Sequence, residues 1–187
     1  MKSLAKNSKA LSTVVTTLII LVVSVLLAGV VTMYAINITS TRTQQEELRL
    51  SKQATWVYAD GTAFAAVAID NVGGRDVVID KVQVRGVEAD WGNVYYTRRS
   101  SALSASLNCP ASDINWSGSF TYATGSSVVF DNDEYDKPLA SGGTMIIYIT
   151  SPDSLNVNDI GTTIGITVFT ENAQYYVECN VKSAETA

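Results

Sequence analysis

The chain contains no histidine, and so lacks the side chain that most often serves as a general base or a metal ligand. Serines are frequent, but no neighbouring group in the sequence could activate one as a nucleophile. The Gly73-Gly74 pair has no phosphate-binding or dinucleotide-binding fingerprint around it, and therefore predicts a turn. The sequence thus gives no support for an enzyme and predicts no cofactor.

Basic residues are also in the minority, with 13 Lys and Arg against 18 Asp and Glu. An acidic chain without a basic patch argues against nucleic acid as a partner. Asp131, Asp133, Glu134 and Asp136 form the one dense acidic cluster in the sequence. Calcium accepts such oxygens, but the spacing lacks the central glycine and terminal glutamate of the known calcium loop. We therefore expect a solvated loop and predict no metal.

The longest stretch without any charge is Ala10–Thr41, and its apolar part is Leu11–Ile36. As a helix that part is about 39 Å long, and about 20 apolar residues already suffice to cross a bilayer. In lipid the backbone must pair internally, which favours a helix, whereas its many β-branched residues would weaken a helix in water. The segment is therefore suited to lipid or to the dry centre of an assembly.

The residues before this run are typical of a chain that is exported. Lys2, Lys6 and Lys9 precede it without an acid, and lysines there hold an N-terminus in the cytoplasm. An ordinary signal peptide has an apolar region of about 7–15 residues with a small-residue cleavage site after it. Here the run is too long and Ile36–Thr39 offers no such site, but a small-residue site precedes the run at Lys9–Ser12.

A short lysine-rich leader, a basic residue with Ala, then Leu-Ser and an apolar helix resemble a class III, prepilin-type signal peptide. The chain is in this respect similar to archaeal type IV pilins and archaellins. The resemblance implies that a membrane prepilin peptidase cuts between Ala10 and Leu11, removing residues 1–10. The bacterial version usually has Glu at the fifth mature position, where this chain has Val15, which points to the archaeal branch. Loss of the three leader lysines changes the net charge from −5 to −8.

Small residues recur along the apolar run in a pattern that favours close helix packing. Ser24, Ala28 and Thr32 are spaced every four residues, with Gly29 beside Ala28. Such spacing lets helices approach closely in a membrane or a filament core. The alternative is that any apolar helix of this length contains some small residues.

The helix is predicted to continue beyond the apolar run. No Pro or Gly occurs from Val30 to Lys52, and charged residues in Glu46–Lys52 pair at helical spacing. We therefore expect a helix to about Leu50, giving a filament-core helix over residues 11–52. A plain membrane anchor does not need this polar half, whereas a filament subunit uses it to join its core helix to a globular head.

From Gln53 onward the pattern is that of strands separated by turns. Antiparallel strands with turns and no amphipathic helix predict an α+β protein whose head, residues 53–187, is an immunoglobulin-like β-sandwich. The stretch Asp70–Gly86 resembles the hairpin that opens such heads in archaeal pilins. The predicted strands are 54–59, 63–70, 77–85, 91–97, 120–123, 128–130, 144–150, 163–170 and 174–182.

Two sequons and two cysteines complete the candidate sites. Asn37-Ile-Thr and Asn115-Trp-Ser are predicted to be glycosylated on an exported chain. Cys109 and Cys179 are predicted to form a disulfide, because the outside is oxidising and Cys179 is in phase with the apolar side of its strand. The alternative is two buried thiols that act as small apolar side chains.

These observations favour a structural subunit of an extracellular filament over an enzyme. The expected partners are other copies of the chain, the prepilin peptidase, an assembly platform and the membrane that holds the precursor. An adhesive type IV pilus is favoured over an archaellum, the filament of archaeal motility. A membrane-anchored ectodomain that binds a ligand without polymerising remains the alternative from a different class.

Overall fold

The structure is a computed structural model that describes residues 8–43 and 45–186. The chain divides into two compact units, Met1–Gln44 and Gln45–Ala187. The first contains one long helix, and the second is a β-rich domain, here called the head. This confirms the α+β class. Most of the predicted leader lies outside the described residues.

The helices and strands have the following bounds. They are α1 (Ser8–Thr43), β1 (Leu48–Val57), β2 (Ala63–Asn71), β3 (Val77–Val84), β4 (Val87–Glu88), β5 (Val94–Arg99), β6 (Ser119–Ala123), β7 (Ser126–Val129), β8 (Lys137–Leu139), β9 (Thr144–Thr150), β10 (Thr163–Thr170) and β11 (Gln174–Ser183).

The helix is shorter at its C-terminal end than predicted. It ends at Thr43, and β1 begins at Leu48, so the expected continuation to Leu50 and the boundary at residue 52 are wrong. In β1, Leu48 and Leu50 pair with Asn71 and Ile69 and contribute to the core. Burying a leucine is worth about 1.5–3 kcal/mol, whereas one helical charge pair contributes about 0.2–0.5 kcal/mol. Burial of the two leucines therefore prevails over the charge pairs.

In the described part of the chain, nine strands form one sheet with the order β4–β3–β10–β11–β1–β2–β9–β5, and β8 also pairs with β3. The sheet curls, so that both of its halves contribute to one core. Within residues 8–43 and 45–186, the two separate sheets of a sandwich are not observed. The prediction of antiparallel pairing holds between the other strands but is wrong for β1 and β11, which run parallel at Thr55–Val57. Strands β6 and β7 form a separate hairpin.

The concave face of the sheet carries the larger of two hydrophobic clusters, here called the inner core. Its members come from both halves of the sheet, and many are almost completely buried. They are Leu48, Val57, Ala63, Ala65, Val67, Ile69, Val77, Ile79, Val82, Val84, Val94, Tyr96, Leu139, Met145, Ile147, Ile149, Leu155, Ile164, Ile166, Val168 and Val181.

The opposite face of β1, β2 and β9 carries a second cluster, here called the outer core. The 100–131 segment covers it, and aromatic rings make up much of its volume. Its members are Ala54, Trp56, Phe64, Ala66, Ala68, Leu103, Leu107, Trp116, Tyr122, Ala123, Phe130, Ile146 and Tyr148. Strand β2 is therefore buried on both faces, and its alternate residues belong to different cores.

A bulge in β1 lets this strand contribute side chains to both cores. The pairing with β2 shifts by one residue between Ser51 and Ala54, and Lys52 adopts a positive φ of 55°. The extra residue reverses the phase of the strand. Leu48 and Leu50 therefore face the inner core, while Ala54 and Trp56 face the outer core.

The first residues of the head are held by a turn that the sequence shows only as a glycine pair. The amides of Val72 and Gly73 donate to the carbonyl of Glu47, each at 3.0 Å, and the amide of Gly74 donates to that of Gln45. Asn71 is buried at this turn, where its side-chain amide donates to the carbonyls of Arg75 and Leu139. We call residues 45–47 and 71–74 the junction clamp.

Candidate functional site

The surface of α1 is the most unusual feature of the molecule. Ser12–Thr41 forms a stretch of 30 residues that is long and apolar enough to cross a membrane, and its most apolar 18 residues have a mean hydropathy of 2.9. Every side chain from 12 to 41 is exposed in the isolated chain, with Val30 at 65% and Met33 at 71%. Soluble monomers rarely expose a contiguous apolar patch above a few hundred Å². We therefore expect lipid or other protein surfaces to bury this helix.

The hydroxyl groups of the helix bond within the helix itself. Thr16 donates to the carbonyl of Ser12 at 2.9 Å, and Thr32 donates to that of Ala28 at 2.8 Å. Ser24 donates in the same way to the carbonyl of Leu21. Such back-bonding satisfies the hydroxyls without water. The polar residues of α1 are thus compatible with lipid or with a dry helix bundle.

The predicted packing residues lie in the middle of α1. Ser24, Ala28 and Thr32 share one face by their spacing of four. A Cβ built on Gly29 meets no atom within 4 Å in the isolated chain. The contacts within one chain therefore leave room for a side chain at residue 29. That Gly29 allows close packing between copies stays a prediction.

The two sequons lie in different structural settings. Asn37 is part of α1, its carbonyl accepts from the Thr41 hydroxyl, and the Thr39 hydroxyl donates to the carbonyl of Ala35 at 2.9 Å. Asn115 lies in an exposed turn of the head, where its side-chain oxygen accepts the Ser117 amide at 3.0 Å. The predicted cleavage site, Ala10 and Leu11, lies in the first turns of α1.

The predicted disulfide is not present, because both cysteines are free thiols. Cys109 packs against the outer core and Cys179 against the inner core, on opposite faces of the shared strands. The Cys179 sulfur lies 3.1 Å from the Thr55 hydroxyl, and the Cys109 sulfur lies 3.8 Å from that of Tyr58. Burial raises the pKa of both thiols. Each cysteine therefore behaves as a small, protonated core side chain.

One member of the acidic cluster, Asp133, binds a buried lysine that the sequence did not predict as a site. Lys137 is completely buried, and its Nζ bonds to the Asp133 carboxylate and to the carbonyls of Asp133 and Tyr135. The same Nζ lies 4.6 Å from the ring centre of Trp91 and 4.9 Å from that of Tyr96. The sequence does carry one sign that Lys137 is buried, because its neighbours in β8 are a proline and a leucine.

The Asp133 carboxylate is shared between two donors. Lys137 bonds to Oδ1, and the Tyr96 hydroxyl donates to Oδ2 at 2.5 Å. The bond from Lys137, followed by the bond from Tyr96, holds the pKa of Asp133 below its ordinary value. The Asp133 carboxylate thus forms an ion pair with the buried Lys137.

The other charged groups of the head include an ion pair between Arg85 and Asp159. Within residues 8–43 and 45–186, no group of three or more His, Cys, Asp or Glu is placed so that it could hold a metal ion. The salt bridge between Arg85 and Asp159, at 2.8 Å, ties two loops together. Hydrogen bonding from the Asn156 amide, together with Arg85, lowers the pKa of Asp159. These charged groups have a structural role.

Comparisons with known proteins add little to this description. No protein-family model matches the chain, and no curated protein matches it significantly. Among solved structures, it is similar to a copper-bound PCuAC domain from PmoF2, with 12% identity and a TM-score of 0.32. That match covers 75% of this chain and 99% of the other. A likeness at this level carries no argument about fold or copper.

Proposed function

We propose that this chain is a structural subunit of an extracellular type IV pilus-like filament, and that it polymerises through α1. The observation that carries the proposal is a 36-residue helix whose described side chains are all exposed, in a chain whose head has cores of its own. All members of both cores come from the head. The helix is therefore available for contacts with other copies.

The helix suits both environments that a filament subunit meets. Its length and hydropathy match a bilayer before assembly. Its internally bonded hydroxyls and its small residues at Ser24, Ala28 and Gly29 suit a helix bundle after assembly. The leader that resembles a prepilin signal would be removed between Ala10 and Leu11 by a membrane peptidase.

The head would form the outer surface of the filament. Its curled sheet packs two halves around the inner core, as the sheets of a sandwich do. On that basis the immunoglobulin-like sandwich expected from the pattern of strands and turns stays a prediction. Surface attachment would be the function of a pilus built from such heads, and motility that of an archaellum.

A membrane-anchored ectodomain is the second candidate, and the same 30-residue span favours it. The two functions differ in processing. A filament subunit begins at Leu11 and retains α1, whereas an anchored ectodomain retains the leader.

N-terminal sequencing of protein isolated from the cell surface tests the proposal. Leu11 at the N-terminus, together with electron micrographs of filaments labelled by an antibody against the head, supports the filament subunit. Met1 at the N-terminus, or protein confined to the membrane as single subunits, contradicts it.

A further inference from the structure

The convex face of the sheet, opposite the inner core, is covered over only part of its width. The 100–131 segment packs on β1, β2 and β9, where it forms the outer core. Within residues 45–186, the outer core has no member from β3, β10 or β11. Alternate side chains of these three strands point to the inner core, and the others lie on the convex side. We call the convex side of β3, β10 and β11 the open face.

The aromatic side chains of the open face are held in place by their neighbours. The Tyr176 ring lies over Gly165, where a Cβ would collide with it, and the Tyr176 hydroxyl donates to the Glu178 carboxylate at 2.9 Å. Lys81 Nζ lies 5.1 Å from the centre of the Phe169 ring. Tyr176 is nevertheless 62% exposed. A fixed side chain loses little conformational entropy when a partner covers it, and tyrosine is enriched at protein interfaces.

The open face also differs in charge from the rest of the head. All 18 acidic residues lie in the head, whereas four of the 13 basic residues precede it, so the head has a net charge of −9. On the open face, Lys81 and Lys182 balance Glu178 and the neighbouring Asp80. Like charges that face each other across an interface are costly. The open face can therefore meet an acidic surface at a lower electrostatic cost than the average surface of the head.

A strongly acidic surface lies at the connection between β4 and β5. Glu88, Asp90 and Glu134 surround a hollow of about 590 Å³, and Trp91 supplies an aromatic wall. None of the described residues that line this acidic hollow is basic. A lysine side chain suits such a site, because its methylene stem packs on an aromatic ring while its ammonium group meets the carboxylates.

The open face and the acidic hollow both extend into the half of the head that is remote from the junction clamp. Lys182 pairs with Trp56 near the end of β1, and Glu88 pairs with Gln83 near the end of β3. Both β1 and β3 begin close to the clamp. Surfaces at one level can meet when heads lie side by side around a bundle of helices. A contact between two different surfaces of identical subunits is also the type that builds open helical filaments.

We propose that neighbouring heads in the filament contact each other through these two surfaces, with Lys182 on the open face of one head entering the acidic hollow of the next. The partner that covers the open face is thus a second copy of this chain. The inference rests on the proposed function, because it requires subunits that polymerise through α1. It adds a second contact, between heads, that sets how each subunit is placed beside its neighbour.

Carbodiimide cross-linking of native filaments tests the contact directly, because this reagent couples lysine amines to adjacent carboxylates. Cells moved to heavy-nitrogen medium during growth provide filaments that mix light and heavy subunits. In a digest, the Lys182 peptide should be joined to a peptide containing Glu88, Asp90 or Glu134, with one light and one heavy partner. Cross-links from Lys182 to other carboxylates alone, or within single subunits alone, overturn the proposal.

Charge reversal provides a second test. Lys182→Glu should lower the filament yield on electron micrographs about tenfold or more, because it places a carboxylate against three others. Glu88→Lys combined with Glu134→Lys should cause a similar loss, and all three changes together should restore filaments. Arg75→Glu makes the same change of charge in an exposed turn and is the matched control, with an unchanged yield.

Thermal unfolding separates a lost contact from a lost fold. The three tryptophans, Trp56, Trp91 and Trp116, all lie in the head, so their fluorescence reports head unfolding. These surface changes should leave the Tm of the head unchanged. Normal filaments from Lys182→Glu overturn the head contact and leave polymerisation through α1 in place. A wild-type chain that forms no filaments contradicts the filament proposal itself, and the head contact falls with it.

Discussion

Replacing Gly73 with alanine should destabilise the head, because the added methyl group would meet main-chain atoms on two sides. An ideal Cβ at this position lies 2.6 Å from the carbonyl oxygen of Gln45 and 2.6 Å from the amide nitrogen of Glu47. Neither atom belongs to a side chain that could rotate away. The turn and the start of β1 would therefore have to separate.

The cost of that separation follows from the contacts in the junction clamp. The Gly73 amide donates to the Glu47 carbonyl at 3.0 Å, and the Ser141 hydroxyl donates to the Gly73 carbonyl at 2.7 Å. Overpacking of this kind costs about 1–3 kcal/mol. At about 4 °C per kcal/mol for a domain of this size, Tm should fall by about 4–12 °C.

Thermal unfolding of the full chain in detergent, followed by tryptophan fluorescence, measures this loss. Val72→Ala is the matched control, since Val72 is 54% exposed in the same turn and its trimming should change stability by less than about 0.5 kcal/mol. A Tm for Gly73→Ala equal to that of Val72→Ala would refute the placement of residues 45–47 against the turn.

Three further predictions concern the helix, the buried cation and the thiols. Gly29→Val should abolish filaments while membrane-inserted monomer persists, because overpacking costs about 1–3 kcal/mol in each subunit; a normal filament yield on electron micrographs would contradict it. Since the pKa of Asp133 is lowered by Lys137, its carboxylate stabilises the head above the unfolded pKa of about 3.9, and this stability is lost as pH falls through the folded pKa. Asp133→Asn should therefore lower Tm by a few degrees at pH 7, with a difference from wild type that narrows below about pH 4; a constant difference across a pH series of melts counts against the role of the charge. Cys109 and Cys179 should both be alkylated in denaturant without reductant, and a disulfide-linked peptide pair would contradict the free thiols.

The apolar helix and most strands could be predicted from local pattern. Thr144–Thr150 and Thr163–Thr170 were predicted with the bounds that the structure has. Both are short β-branched runs between turn residues, for which local preference and tertiary context agree. The long uncharged run predicted α1 because a helix satisfies its backbone groups within one segment, away from water.

The residues that follow the helix were predicted wrongly because two local signals compete there. Glu46–Lys52 shows charge pairs at helical spacing, but Leu48-Arg49-Leu50 also alternates as a strand does. Pairing with the next strand, β2, decides between them, and it buries both leucines. The parallel pairing of β1 with β11 depends on contacts across the whole head, and no local pattern reports it.

The candidate site was predictable in its parts but not in its assembly. Sequons and cysteines are identified directly in the sequence, but the face of the sheet that each one occupies depends on the complete topology. Cys109 and Cys179 pack against different cores, and β1, β2 and β9 lie between those cores. The buried position of Lys137 depends on contacts with Trp91 and Tyr96, which are remote from it in sequence.

Helical reconstruction by electron cryomicroscopy of filaments sheared from the cell surface tests most directly whether α1 forms the core of a polymer. The proposal predicts a dry bundle of α1 helices along the filament axis, each beginning at Leu11, with the β-rich heads outside and Gly29 at a contact between helices. Filaments built from another protein, with this chain recovered only as single subunits in the membrane, would contradict it.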